Sequence, residues 1–114
     1  KSRFDEIIGV TLRQENDVED IYFAVDNYSL DYIRTKWLHS TQMEFDPETQ
    51  KDFREKYPSL KDMTFFSIEC RENQELYARF ASYMGNVVIV EPLHIKNKLQ
   101  MYLGRALEKY NSLL

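Results

Sequence analysis

"MTFFSIECRENQELYARFASYMGNVVIVEP", Met63 to Pro92, changes its hydrophobic period twice within one uninterrupted run. "MTFFSIEC", Met63 to Cys70, reads as a strand. Asn73 is placed to cap a helix, and Leu76, Phe80 and then Tyr83 or Met84 recur at helical spacing. Gly85-Asn86 is a C-terminal helix stop. "NVVIVEP" follows as a fully buried strand ended by Pro92. Strand, helix and strand in direct succession put the chain in the α/β class.

Upstream, "EDIYFAV", Glu19 to Val25, is a strand with Ile21, Phe23 and Val25 on one face. Ser29 is a candidate cap for a helix with Asp31 in its first turn, where a negative charge meets the positive helix end. Leu30, Ile33 and Trp37 follow at i, i+3 and i+7 as its buried stripe. A second strand is expected over Leu38 to Phe45. Asp46-Pro47-Glu48 has the cap, the first-position proline and the acidic first turn of a helix start. Phe53 and Tyr57 lie one turn apart, and Pro58 ends that element. Asp46 to Asp62 therefore reads as a charged excursion holding one short helix. A final helix runs from about His94 to the end. The order β-α-β-β-α-β predicts a ferredoxin-like fold: a four-stranded antiparallel sheet with helices on one face, plus a C-terminal helix. Residues 17–114 form that domain, and residues 1–16 are expected to be an arm or linker from a preceding one.

A chain of 114 residues with 43% hydrophobic content can bury a core as one domain. No run is long and apolar enough to cross a bilayer, and no signal segment opens the chain, so a cytoplasmic location is expected. The single cysteine, Cys70, cannot form an internal disulfide and fits a reducing compartment, with an intermolecular bridge as the lesser alternative. The net charge is −4 but uneven. Residues 1–31 hold three basic and eight acidic side chains, whereas residues 94–114 set Lys96, Lys98, Arg105 and Lys109 against Glu108 alone. An acidic whole argues against non-specific binding to nucleic-acid phosphates. The missing initiator methionine suggests a piece of a longer protein.

No catalytic or metal-binding residue is assigned, and no cofactor is expected. His39 lacks a nucleophile or further ligands at motif spacing, and the other histidine, His94, is in a different element. His39 is assigned to structure, beside Trp37 and with Gln42 and Ser40 meeting local polar groups. Cys70 reads as a small strand hydrophobe. No phosphate-binding glycine loop or nucleophile elbow occurs, so an enzyme is not expected. The strand aromatics raise RNA stacking, but "IYFAV" and "MTFFSIEC" are accompanied by Asp20 and Glu69 rather than basic residues, which favours core packing. In the last helix Ile95, Leu99, Tyr102, Ala106, Tyr110 and Leu113 form a stripe that Leu103, Leu107 and Leu114 widen. One sheet contact does not need that breadth. Lys98, Arg105 and Lys109 fall together on a separate polar face.

"TKWLHSTQ" and "FFSIECRENQELYARFASYMGNVVIVEPLHIKNKLQMYLGRALEKY" resemble the C-terminal extension domain of WYL-domain transcriptional regulators. Leu38-His39-Ser40-Thr41-Gln42 stands for the family's "PLHxSQ"-like segment. Ser82 to Gly85, Val88 to Pro92 and Tyr110 fill its turn, strand and closing-tyrosine positions. "FDEIIGV", Phe4 to Val10, is similar to the linker leaving the WYL domain. Trp37 stands where the family often has proline, and the Asp46–Asp62 excursion exceeds the common form. The resemblance implies a cytoplasmic bacterial regulator with upstream winged helix-turn-helix and WYL domains, acting as a homodimer. It implies contact with DNA only through the full-length protein and a nucleic-acid or nucleotide effector. Trp37, His39, Gln42, Lys98, Arg105 and Lys109 are the candidate interface or effector residues. The alternative is a free-standing ferredoxin-like sensor of a small molecule or nucleotide.

Overall fold

The computed structural model describes residues 17–113; the expected arm over residues 1–16 and Leu114 lie outside them. The elements are β1 (Val18–Val25), α1 (Asn27–Thr35), β2 (Met43–Glu44), α2 (Pro47–Lys56), β3 (Thr64–Arg71), α3 (Gln74–Ala81), β4 (Val87–Glu91) and α4 (Leu93–Asn111). Short 3-10 turns at Pro58–Leu60 and Met84–Asn86 complete the chain. The strands form one antiparallel sheet in the order β2-β3-β1-β4. This is the ferredoxin-like arrangement, with the two long hydrophobic strands, β1 and β3, at its centre. They pair without interruption from Val18↔Arg71 to Val25↔Thr64. β4 joins β1 through a bulge between Tyr22 and Phe23.

The period of two divides each strand between two cores. Ile21, Phe23 and Val25 of β1, Phe66 and Ile68 of β3, and Val87 and Ile89 of β4 face one side. Ile33 of α1, Leu76, Tyr77 and Phe80 of α3, and Ile95 and Leu99 of α4 cover them. Phe23 stacks on Phe66 and meets Phe80 edge-on. The two expected helices on one face are therefore α1 and α3, and the C-terminal helix α4 packs on the same side.

The opposite face is covered too, by the segment expected to be a charged excursion. Ala24, Phe65 and Val90 are buried there beneath Phe45, Phe53, Tyr57, Leu60 and Met63. Phe53 touches Tyr22, Phe45 and Phe65 with ring centroids 4.9–5.6 Å apart. The short helix starts as the sequence indicates: Asp46 accepts from the Thr49 N–H at 2.8 Å, with Pro47 next. Its charge misleads because its four-residue apolar spacing, Phe53 to Tyr57, is sparse. Gln50 adds a polar anchor, 6% exposed, whose amide accepts from the Phe65 N–H at 2.8 Å and donates to the Phe65 carbonyl at 2.9 Å.

Three expectations need correction. Asp26, not Ser29, caps α1: its carboxylate accepts from the Ser29 N–H at 3.0 Å, while Ser29 is buried in the first turn. Trp37 is not in the buried stripe. The chain leaves helical geometry at Lys36, so the i+7 phase is lost; Trp37 is 52% exposed and Leu38 enters the core instead. The expected strand over Leu38 to Phe45 shrinks to Met43–Glu44, because residues 38–42 form a turn closed by the Gln42 N–H on the His39 carbonyl at 3.0 Å.

Candidate functional site

That turn edges a cleft of about 550 Å³ between the end of β3 and the start of α3. Its walls include Leu38, His39, Glu69, Cys70, Arg71, Leu76 and Arg79. A helix cap and a longer-range hydroxyl contact set part of the wall. Asn73 caps α3 by accepting from the Leu76 N–H at 2.8 Å, which places Leu76 and Arg79 on the inner side of the first turns. The Thr41 hydroxyl takes the place of a strand residue beside Glu69, accepting from its N–H at 2.7 Å and donating to its carbonyl at 3.0 Å. His39 Nδ1 lies 2.8 Å from the same hydroxyl and accepts from the Thr41 N–H at 3.2 Å.

The cleft thus joins His39 and Cys70, two reactive residue types that are 31 positions apart in sequence. Their chemistry is subdued. Burial, with a smaller contribution from the Glu19 charge, pushes the Cys70 thiol up, away from the thiolate that nucleophilic attack requires. His39 Nδ1 is occupied by Thr41. Arg79 donates to the Leu38 carbonyl at 3.3 Å and to Glu75 at 3.3 Å, so it braces the rim.

The other sequence candidates are dispersed. Gln42 is 4% exposed and structural: it accepts from the Leu38 N–H at 2.9 Å and donates to the Ile33 carbonyl at 3.1 Å. That carbonyl lies in the last turn of α1, where backbone acceptors lack helical partners. Trp37 donates from Nε1 to the Arg34 carbonyl at 3.0 Å in the same way. Lys98 does not share the exposure of the basic face. Its ammonium lies 3.1 Å from Glu72 and 5.7 Å from the Tyr77 ring centroid. Arg105 and Lys109 are exposed on the last turns of α4.

The expected apolar stripe of α4 splits at Tyr102. Ile95 and Leu99 are buried, and Tyr102 meets Tyr77 edge-on at 5.4 Å. Beyond it Leu103, Leu107, Tyr110 and Leu113 are all exposed. Leu99 and Leu103 border a second cleft, about 490 Å³, with Val87, Val88 and Ile89 of the edge strand β4.

Among the described residues, RNA stacking finds no platform on the sheet. The face opposite α1 and α3 carries Tyr22 and Phe65, but α2 and its flanking aromatics cover them. At the open end of β1 and β3, Asp20 pairs with Glu69, two like charges side by side. Sequence reasoning missed one cluster. Glu19, Glu72 and His94 converge although 53 and 22 positions separate them, a spacing that matches no local motif. No protein-family model matches the chain, and neither a curated protein nor a solved structure does.

Proposed function

We propose that this domain is the dimerising, effector-sensing C-terminal end of a WYL-type DNA-binding transcriptional regulator. The observation that carries the reading is the unburied half of α4. Leu103, Leu107, Tyr110 and Leu113 extend an apolar stripe past the last core contact, beside the open edge of β4. An apolar helix face of that length is stabilised by a partner. A second copy of the chain fits it, because two such helices packed about a two-fold axis bury the same residues on both sides. The motif resemblance over residues 35–110 supports the regulator context. In that context DNA is contacted through the full-length cytoplasmic protein, and the domain turns over no substrate.

The test is sedimentation of the chain carrying Leu103→Glu and Leu107→Glu. Both residues are exposed, so the monomer should keep its fold by circular dichroism. The parent should sediment as a dimer and the variant as a monomer. Monomeric sedimentation of the parent at high concentration would refute the reading.

A free-standing sensor is the second reading, favoured by the cleft at His39. A helix-turn-helix encoded upstream in the same reading frame decides for the regulator. A short isolated frame decides for the sensor.

A further inference from the structure

We propose that Glu19, Glu72 and His94 form a binding site for a divalent transition-metal ion, with zinc as the best-matched ion. The site is independent of the dimer reading. One ligand atom from each residue lies within 4.8 Å of the others. They come from three elements: Glu19 from β1, Glu72 from the turn between β3 and α3, and His94 from the first turn of α4. His94 Nε2 is 2.9 Å from one Glu19 oxygen and 3.1 Å from the other.

Burial sets this group apart from a surface acidic patch. The side chains of Glu19 and Glu72 are each only 10% exposed. Two carboxylates drawn out of water side by side repel, and bringing them together needs compensating positive charge. Lys98 supplies one cation to Glu72 at 3.1 Å, and the Tyr77 hydroxyl donates to the same carboxylate at 2.6 Å. Those contacts fix the Glu72 carboxylate, as outer partners hold a metal-ligating carboxylate.

The donor set selects the metal class. One imidazole nitrogen with two carboxylates, leaving a position open, matches zinc and the neighbouring first-row ions. Calcium takes about six to eight oxygens, and magnesium disfavours this nitrogen-containing, low-coordination cage. Ligand atoms about 2.1 Å from a tetrahedral ion sit about 3.4 Å apart. Rotation of the long glutamate side chains brings the observed separations, from 2.9 Å between His94 and Glu19 to at most 4.8 Å, to that value. His94, 38% exposed, leaves a path for entry. A bound ion would tie the start of α4 to β1 and to the β3–α3 turn.

The experiment uses the full chain stripped with a chelator. Zinc is titrated by calorimetry, and cobalt(II) reports ligand geometry through its visible d–d absorption. The expected result is a single zinc ion per chain, a raised melting temperature and tetrahedral cobalt bands. His94→Ala and Glu19→Gln should each weaken binding roughly tenfold or more, while His39→Ala should not change it. Should either site variant fail to fold, Glu72→Gln replaces it, with the metal-free melting temperature as the fold check. No zinc heat and no cobalt bands in the parent, or unchanged binding in the folded site variants, would overturn the proposal.

Discussion

Two glutamines and a threonine show how single side chains take over backbone roles. Gln50 supplies the donor and acceptor that a neighbouring strand would give Phe65. Gln42 does the same for Leu38 and Ile33, and Thr41 for Glu69. Gln50 and Thr41 replace pairing that the short strand β2 does not give β3, and Gln42 closes the end of α1. Because Phe65 is fully buried, Gln50→Ala takes the side-chain partner from its N–H, while its carbonyl keeps the Phe45 N–H at 3.1 Å. The expected cost is about 1–3 kcal/mol, the desolvation of an unpaired backbone N–H rather than one net hydrogen bond. Urea unfolding checks this, and a loss below about 0.5 kcal/mol would show that water replaces the amide. The sequence pointed to Gln42 as a partner for local polar groups beside His39, although in an expected strand rather than a turn. Gln50 gave no such signal, because its partner lies 15 residues away across a helix. Helix α3 ends differently from its expected glycine stop as well: Met84, with φ of 53°, holds the left-handed position beside Gly85.

At the scale of elements, α2 is the piece whose role changes most between sequence and structure. Its apolar contacts are few, so polar ties supplement them. Lys56 lies 2.7 Å from Glu91 of β4, and the Tyr57 hydroxyl donates to the same carboxylate at 2.5 Å. Burial pushes the Glu91 carboxyl up, but the hydrogen bonds and the Lys56 charge outweigh it and hold the group below its usual range. Asp46, bonded by the Thr49 N–H, is held low as well. A carboxyl whose folded pKa is depressed contributes stability that is present above its unfolded pKa and lost as the pH falls through the folded one. The loss should therefore begin below roughly pH 5 and continue toward roughly pH 3. Glu91→Gln should lower the melting temperature at neutral pH and flatten part of this acid decline. An acid limb identical to the parent's would remove Glu91 from the explanation. Hydrogen exchange at low pH should open α2 before the β1–β3 centre, because fewer buried contacts hold it.

For the whole molecule, charge and apolar surface meet on α4. Arg105 and Lys109 lie on the same projecting half as Leu103 and Leu107, whereas Lys98 is committed to Glu72. Reversing all three would break the Lys98–Glu72 pair and confuse folding with association. The informative variant is Arg105→Glu with Lys109→Glu. Both side chains are exposed, so stability should change by less than about 1 kcal/mol. Self-association of the chain, or effector affinity of a full-length regulator, should weaken, and most at low salt where screening is least. Sedimentation and binding both unchanged at low salt would leave the pair as a solvated face.

The order of strands and helices, the Asp46 and Asn73 caps, the central hydrophobic strands and the surplus apolar stripe of α4 were all determined by the sequence alone. Each rests on periodicity or on a side chain acting within four residues of itself. Only the tertiary structure decided that α2 closes the second face of the sheet, that Trp37 leaves the core, and that Lys98 belongs to Glu72. It also decided that Glu19, Glu72 and His94 meet. The physical reason is range: these outcomes depend on which distant surfaces are brought together, and the antiparallel register of β1, β3 and β4 sets that.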